Sequence, residues 1–271
     1  MDQYTRVGII GVGYVGNAIS LAFAGDPYVT LVKRDPPKGF MATYDELKTC
    51  DGIFVCVPSP QSDDGSCDTS YLEGVLQDLK AINYTGVIIS KCTAPPNIYT
   101  ELNRQFPNLV HAPEFLTAAN AEQDYANGKF AFIGGAVSAY RREAERLIRL
   151  SQSGLEQDRV FHCSIAEASL AKYTLNTFLA TKVIYMNELA DLAKKLDCDY
   201  TVVAKMIRTD HRIGSSHLQV PGPDGYYGFG GACFPKDTAA LLKIAEDASV
   251  DMNVLNAAVK KNLLLRLTEP K

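Results

Sequence analysis

Arg6-Val7-Gly8-Ile9-Ile10-Gly11-Val12-Gly13-Tyr14-Val15-Gly16 couples a buried-strand pattern to a glycine-rich turn, and residues 17–24 continue with helical character. Gly-x-Gly-x-x-Gly by itself is a weak signal. Between a strand and a helix it becomes the fingerprint of a dinucleotide-binding βαβ unit. The first glycine permits the tight turn and the second lets the backbone approach a pyrophosphate. The third lets helix and strand pack closely, with the helix N-terminus facing the phosphates. Gly11, Val12, Gly13, Tyr14, Val15 and Gly16 are therefore the expected cradle of a dinucleotide.

Working outward, a second strand is read at 28–32, followed by Lys33-Arg34-Asp35. Folds of this kind place an acid near the end of that strand to hold the adenosine ribose hydroxyls. Asp35 stands at about the right distance from the glycines, and Lys33 competes for the strand tip. Lys33 and Arg34 equally suit a 2′-phosphate, which leaves NAD and NADP both open, or a solvated charge cluster on a surface turn. Apolar strands follow at 52–57, 86–90, 109–111, 130–134 and 159–162. The helices between them are read at 44–48, after residue 70, up to about 104, and at 139–151. This alternation is the doubly wound α/β signature.

The pattern changes at 164. No glycine or proline occurs from there to about 196, and apolar residues recur at helical spacing. This reads as one helix, too long for a compact small domain to cover, so it is expected to pack on a partner subunit or second lobe. A short helix at 201–207, a glycine- and proline-rich loop at 210–231, and helices at 238–248 and 251–267 complete the chain. The expected class is α/β: a doubly wound Rossmann-type sheet followed by a long central helix and a small all-helical domain. The expected organisation is a dinucleotide-binding domain at 1–163, a connecting and dimerisation helix at 164–198, and a helical domain at 199–271.

Composition narrows the function. The 271 residues are 46% hydrophobic and 21% charged, with a net charge of −4. A chain of that balance has no general basic field for nucleic acid or a membrane surface. Seven scattered cysteines, with no Cys-x-x-Cys pair, point away from a disulfide framework and a zinc site and toward a reducing compartment. With no signal peptide and no apolar run long enough to span a membrane, a cytoplasmic protein is expected.

One stretch carries chemistry beyond the dinucleotide fold: Gly230-Gly231-Ala232-Cys233-Phe234-Pro235-Lys236-Asp237. Two glycines bare the backbone beside a thiol flanked by a base and an acid. Lys172 and Asn176 lie four residues apart on the long helix, so both can address one oxygen atom. Other motifs are Val55-Cys56-Val57-Pro58-Ser59-Pro60, Lys91-Cys92-Thr93, Ala112-Pro113-Glu114-Phe115-Leu116 and Asp210-His211-Arg212-Ile213-Gly214. Together, and in this order, they resemble the UDP-glucose/GDP-mannose dehydrogenase family from about residue 6 to the end of the chain.

That resemblance implies a two-step oxidation of a nucleotide-sugar C6 alcohol to a carboxylate with two NAD. It implies that Cys233 traps the aldehyde as a thiohemiacetal, which is oxidised to a thioester and hydrolysed. Lys172 and Asn176 would stabilise the alkoxide and oxyanion. Asp237 and Thr93 would orient water, and Glu114 would act as acid/base. Val57, Pro58, Thr93 and Lys236 would line the cofactor together with the glycine loop, Asp35 and Lys33. Glu114, Phe115, Leu116, Lys172, Asn176, Arg212, Tyr227, Phe229, Gly230 and Gly231 would hold the substrate, and a homodimer would form through the long helix. The bland readings are a snorkelling Lys172, an Asp237 that only caps a helix, and a Glu114 that only caps backbone amides.

Set against the family pattern, the chain is expected to lack a further Rossmann-like domain that holds much of the nucleotide. Ala118-Ala119 also stands where Glu-Gly is usual. Two other readings stay open: a two-electron β-hydroxyacid-type dehydrogenase, which shares the Lys-x-x-x-Asn pair and needs no thiol, and a non-catalytic NAD-binding relative.

Overall fold

A computed structural model describes residues 4–117 and 120–267, so Ala118 and Ala119 lie outside the described residues. The chain divides into two compact units, Met1–Pro60 with Cys67–Lys172, and Gln61–Ser66 with Tyr173–Lys271.

The first unit is built on strand β1 (Thr5–Ile10), helix α1 (Tyr14–Ala22) and strand β2 (Val29–Asp35). It continues through β3 (Phe40–Met41), α2 (Tyr44–Lys48), β4 (Gly52–Val55) and α3 (Ser70–Ala81). Next come β5 (Val87–Ser90), α4 (Pro96–Gln105), β6 (Leu109–His111) and α5 (Ala121–Ala126). β7 (Ala131–Gly134), α6 (Ser138–Ser151) and β8 (Val160–Cys163) follow, and then the long helix α7 (Ile165–Lys195), whose first turns belong to this unit. The eight strands form one sheet in the order β3-β2-β1-β4-β5-β6-β7-β8. β1 pairs in parallel with β2 on one side and β4 on the other. Strand order reverses across β1, the switch point at which such sheets open a ligand crevice beyond the carboxyl ends of their strands.

Alternation along the strands explains the two helix layers. Val7, Ile9, Phe54, Val87 and Ile89 face one side and pack with Ile19, Phe23, Leu147 and Ile148. Ile10, Ile53, Val55 and Ile88 face the other and pack with Leu47, Leu72, Leu76 and Leu102. Buried on both faces, these strands are the uninterrupted apolar runs of the sequence.

Four expectations need correction. β2 extends through Lys33, Arg34 and Asp35 instead of ending at residue 32, so this charged triplet is not a surface turn. The extension follows from β3, which pairs antiparallel with Arg34 and Asp35 and is too short to show in the sequence pattern. α5 lacks a strong apolar period and is also unforeseen. β7 runs antiparallel to β6, which makes the sheet mixed.

The second unit holds the rest of α7 with α8 (Tyr200–Ile207), α9 (Phe234–Asp247) and α10 (Asn253–Arg266). Its core gathers Ala180, Ile184, Phe229 and Ala258. The fourth correction concerns α9, which begins at Phe234 and not at Thr238. Pro235 is compatible with that start because a first-turn N–H has no intrahelical acceptor. Cys233 therefore stands at the helix N-terminus.

Candidate active site

In the first unit the glycine loop sits at the carboxyl end of β1, and its three glycines are required for different reasons. Gly11 has φ +84°, and a Cβ there would lie 2.7 Å from the Cys56 carbonyl oxygen. A Cβ on Gly16 would lie 2.0 Å from the Gly11 carbonyl oxygen. One on Gly13 would meet only Lys38 Nζ, at 3.8 Å. Gly11 and Gly16 thus allow chain to pass against chain, whereas Gly13 borders open space.

Asp35 closes the loop from β2, its Oδ2 accepting the Val12 N–H at 2.8 Å. Lys38, which the sequence reading passed over, donates to the Val12 carbonyl at 2.9 Å and stands 4.0 Å from Asp35. Its signal was a lysine three residues after the expected ribose acid. Lys33 lies over the Phe40 ring, and Arg34 lies over Tyr44 while donating to the Ala42 carbonyl at 2.8 Å. Tyr14 and Pro58 are exposed, Val15 and Val57 half-buried.

Thr93 follows β5 on a turn fixed by buried hydrogen bonds. The Cys92 carbonyl accepts from Tyr99 Oη at 2.7 Å, and the Cys92 N–H reaches Ser90 Oγ at 3.3 Å. Cys67 Sγ donates to the Thr93 carbonyl at 3.3 Å and Ser169 Oγ to the Ala94 carbonyl at 2.6 Å. Behind the turn, His111 stacks on Tyr99 with ring centroids 4.2 Å apart. Burial, with the Lys91 and Lys172 charges adding to it, pushes the His111 imidazole down to about 3. It is neutral at physiological pH and serves structure. Lys91 is also buried, and desolvation lowers its pKa, partly opposed by Glu114.

The Glu114 carboxylate accepts the N–H groups of Phe115 and, at 2.8 Å, Leu116. The amide-capping role is therefore present. Lys172 is buried, not snorkelling: its ammonium donates to the Glu114 carbonyl and lies 4.8 Å from the Phe115 ring centroid. A cavity of about 470 Å³ within this unit touches Lys91, Glu114 and Phe115.

In the second unit, Asp237 is 1% exposed and lies in the first turn of α9, its N–H bonded to the Cys233 carbonyl. Its position inside the helix removes the N-cap reading. Asn176 Nδ2 donates to its Oδ2 at 2.5 Å and Lys236 Nζ to its Oδ1 at 2.5 Å. A buried carboxylate is retained only when it is paired in this way. Cys233 is half-buried at the helix end that stabilises negative charge. Burial pushes Cys50 up to about 11 and Cys92 up to about 12, and raises Cys56 as well. Cys198 is exposed, and Cys56 and Cys163 are half-buried.

Gly230 and Gly231 line a cavity of about 730 Å³ in this unit, with Lys205 and Arg208 of α8 on its wall. Phe229 lines it too, but its ring is a core side chain at 4% exposure. Tyr227 is half-buried. Arg212 is exposed and pairs with Asp210 at 2.6 Å.

Comparison with known proteins matches residues 31–151 to the UDP-glucose/GDP-mannose dehydrogenase family, NAD binding domain, and residues 166–263 to the central domain of the same family. A UDP-glucose 6-dehydrogenase of Rhizobium meliloti (strain 1021) is 31% identical over 304 residues, 95% of this chain and 67% of that protein. The chain belongs to the UDP-glucose/GDP-mannose dehydrogenase family. The family's NAD binding model spans Asp35, Thr93 and Glu114, and its central model spans Lys172, Asn176, Cys233 and Asp237. The glycine fingerprint precedes both matches. A UDP-glucose 6-dehydrogenase of Rickettsia bellii (strain RML369-C) is 32% identical over 250 residues, 88% of this chain and 55% of that protein. The chain thus spans about half the length of the curated relatives of this kind that it matches. The solved UDP-glucose dehydrogenase of Pyrobaculum islandicum shares the fold with a TM-score of 0.80 at 24% identity, over 97% of this chain and 69% of that one. Among the described residues no group of His, Cys, Asp and Glu is placed to hold a metal ion. No helix among them is long and apolar enough to cross a membrane.

Proposed function

We propose that this chain is an NAD-dependent dehydrogenase that oxidises the C6 alcohol of a UDP-glucose-like nucleotide sugar to the uronic acid, with Cys233 as covalent nucleophile. The observation that carries the proposal is the Asn176–Asp237–Lys236 cluster one helical turn from Cys233. A scaffold has no use for a buried carboxylate held against two donors beside a thiol.

The open space at Gly13, bounded by Gly11, Gly16 and Asp35, fits a dinucleotide pyrophosphate and its ribose. Val57, Pro58, Thr93 and Lys236 are assigned to the rest of the cofactor. NAD, when bound, accepts the hydrides that leave C6, two per substrate. Lys172 and Asn176 are assigned to the C6 oxygen, stabilising it first as an alkoxide and later as the oxyanion of thioester hydrolysis. One donor so placed is worth roughly 3–4 kcal/mol. The Cys233 sulfur adds to the aldehyde carbon, and the resulting thiohemiacetal is oxidised to a thioester. Water held by Asp237 and Thr93 then releases the acid, with Glu114 as acid/base. The balance is alcohol, two NAD⁺ and water giving carboxylate, two NADH and three protons. Phe115, Leu116, Tyr227, Gly230, Gly231 and Arg212 are assigned to substrate, Arg212 from across a homodimer built on α7.

Cys233→Ser should abolish acid formation while leaving NAD affinity unchanged. Product analysis with UDP-glucose and calorimetric titration with NAD check the two halves of that statement. Full acid production by the variant would remove Cys233 from the mechanism. One NADH per substrate in the wild type, instead of two, would favour the two-electron reading.

A further inference from the structure

The peptide of Phe229 is gripped from both ends by one helix. Its N–H donates to Asn262 Oδ1 at 2.7 Å, and its carbonyl accepts from Arg266 Nε at 2.9 Å. Asn262 and Arg266 are four residues apart on α10 and so share a face. The same guanidinium donates to the Gly228 carbonyl at 3.4 Å and to Asp224 Oδ2 at 2.7 Å, and lies over the Tyr226 ring. From α7, Asn187 Oδ1 accepts the Gly228 N–H at 3.1 Å. Asn187 and Asn262 are buried.

These contacts give the segment just before Gly230–Cys233 the backbone partners that it lacks from any helix or sheet. They also explain two glycines by a route independent of any ligand. A Cβ on Gly228, where φ is +75°, would lie 2.4 Å from Asn262 Oδ1, and one on Gly230 would lie 2.5 Å from Arg266 Nη2. Gly230 is bare at least in part because a guanidinium lies against it.

We propose that Asn262 and Arg266, seconded by Asn187, are positioning residues that set the Gly230–Cys233 segment at the start of α9. They touch the loop and not the reacting atoms. Their importance to turnover rests on the reading of Cys233 as nucleophile; their control of the loop does not.

Peptide-resolved hydrogen exchange over residues 225–233 and steady-state kinetics with UDP-glucose, on the full chain, test this. Asn262→Ala and Arg266→Gln should each speed exchange in that peptide by about ten-fold or more, with peptides of the first unit unchanged. In the same variants kcat should fall about ten-fold while KM for UDP-glucose and NAD affinity move less than about three-fold. Asn262→Asp, which keeps the acceptor oxygen, should restore most of the protection and turnover. Unchanged exchange at 225–233 in both variants would overturn the clamp. So would a rate loss matched by the unfolded fraction in a melting curve, with no rescue by Asn262→Asp. If exchange responds as stated but the wild type does not oxidise UDP-glucose, the clamp stands and the proposed activity fails.

Discussion

At the scale of single residues, His111 has a consequence for stability. Its ring is 1% exposed, stacked on Tyr99, and held to about 3 against an ordinary value of 6.5. Because the folded-state value is depressed, the unfolded chain binds the proton more readily between those limits. Stability from this site is present in full above pH 6.5 and is lost as pH falls toward 3, by roughly 3–5 kcal/mol over the whole window. His111→Phe removes the titration. The stability advantage of wild type over this variant, from urea unfolding, should shrink as pH drops from 7 to 4. A difference that stays constant with pH would show that His111 has the same pKa in the folded and the unfolded chain. Glu114 and Lys172 teach a related point. Both residue types were legible as candidates, but the lysine's contact with the Glu114 carbonyl depends on a loop 58 residues away in sequence. No local pattern encodes that distance.

At the scale of elements, the β1–α1 unit separates packing from ligand binding within six residues. Gly16→Ala drives a Cβ to 2.0 Å from backbone oxygen, so neither partner can yield cheaply. The expected loss is at least about 2 kcal/mol, seen as a lower denaturation midpoint. Gly13 has φ −72° and open space around it, so Gly13→Ala should leave the midpoint within about 1 kcal/mol of wild type. It should still weaken NAD binding at least ten-fold by calorimetry, since the new methyl occupies the pyrophosphate approach. Equal effects of the two substitutions on stability would contradict this division of labour. The start of α9 is the other instructive element. The helix read from residue 238 begins instead at Phe234, since proline in a first turn is compatible with helix. One turn of difference changes Asp237 from a cap into a buried partner of Asn176.

At the scale of the whole molecule, α7 leaves Phe178, Tyr185 and Leu192 exposed at 65%, 57% and 52%, spaced by sevens along one stripe. A recurring apolar stripe of this kind is suited to a second helix, which fits the proposed homodimer. Phe178→Glu combined with Tyr185→Glu should convert a dimer to a monomer in sedimentation velocity without lowering helix content. An unchanged sedimentation coefficient would place the subunit contact elsewhere. The length of α7 and its lack of helix breakers were plain in the sequence. So were the sheet's alternating strands and the glycine loop, because strand alternation, helical period and glycine's φ freedom are all local properties. β3, the antiparallel β7 and the extension of β2 to Asp35 were hidden, because each depends on a neighbour strand far along the chain. The order of motifs identified the family. Only the tertiary structure brought Asn176 to Asp237 across 61 residues and Arg266 to Phe229 across 37. Such pairings are set by the packing of whole helices, and the side chains that make them carry no mark of their partners in the sequence around them.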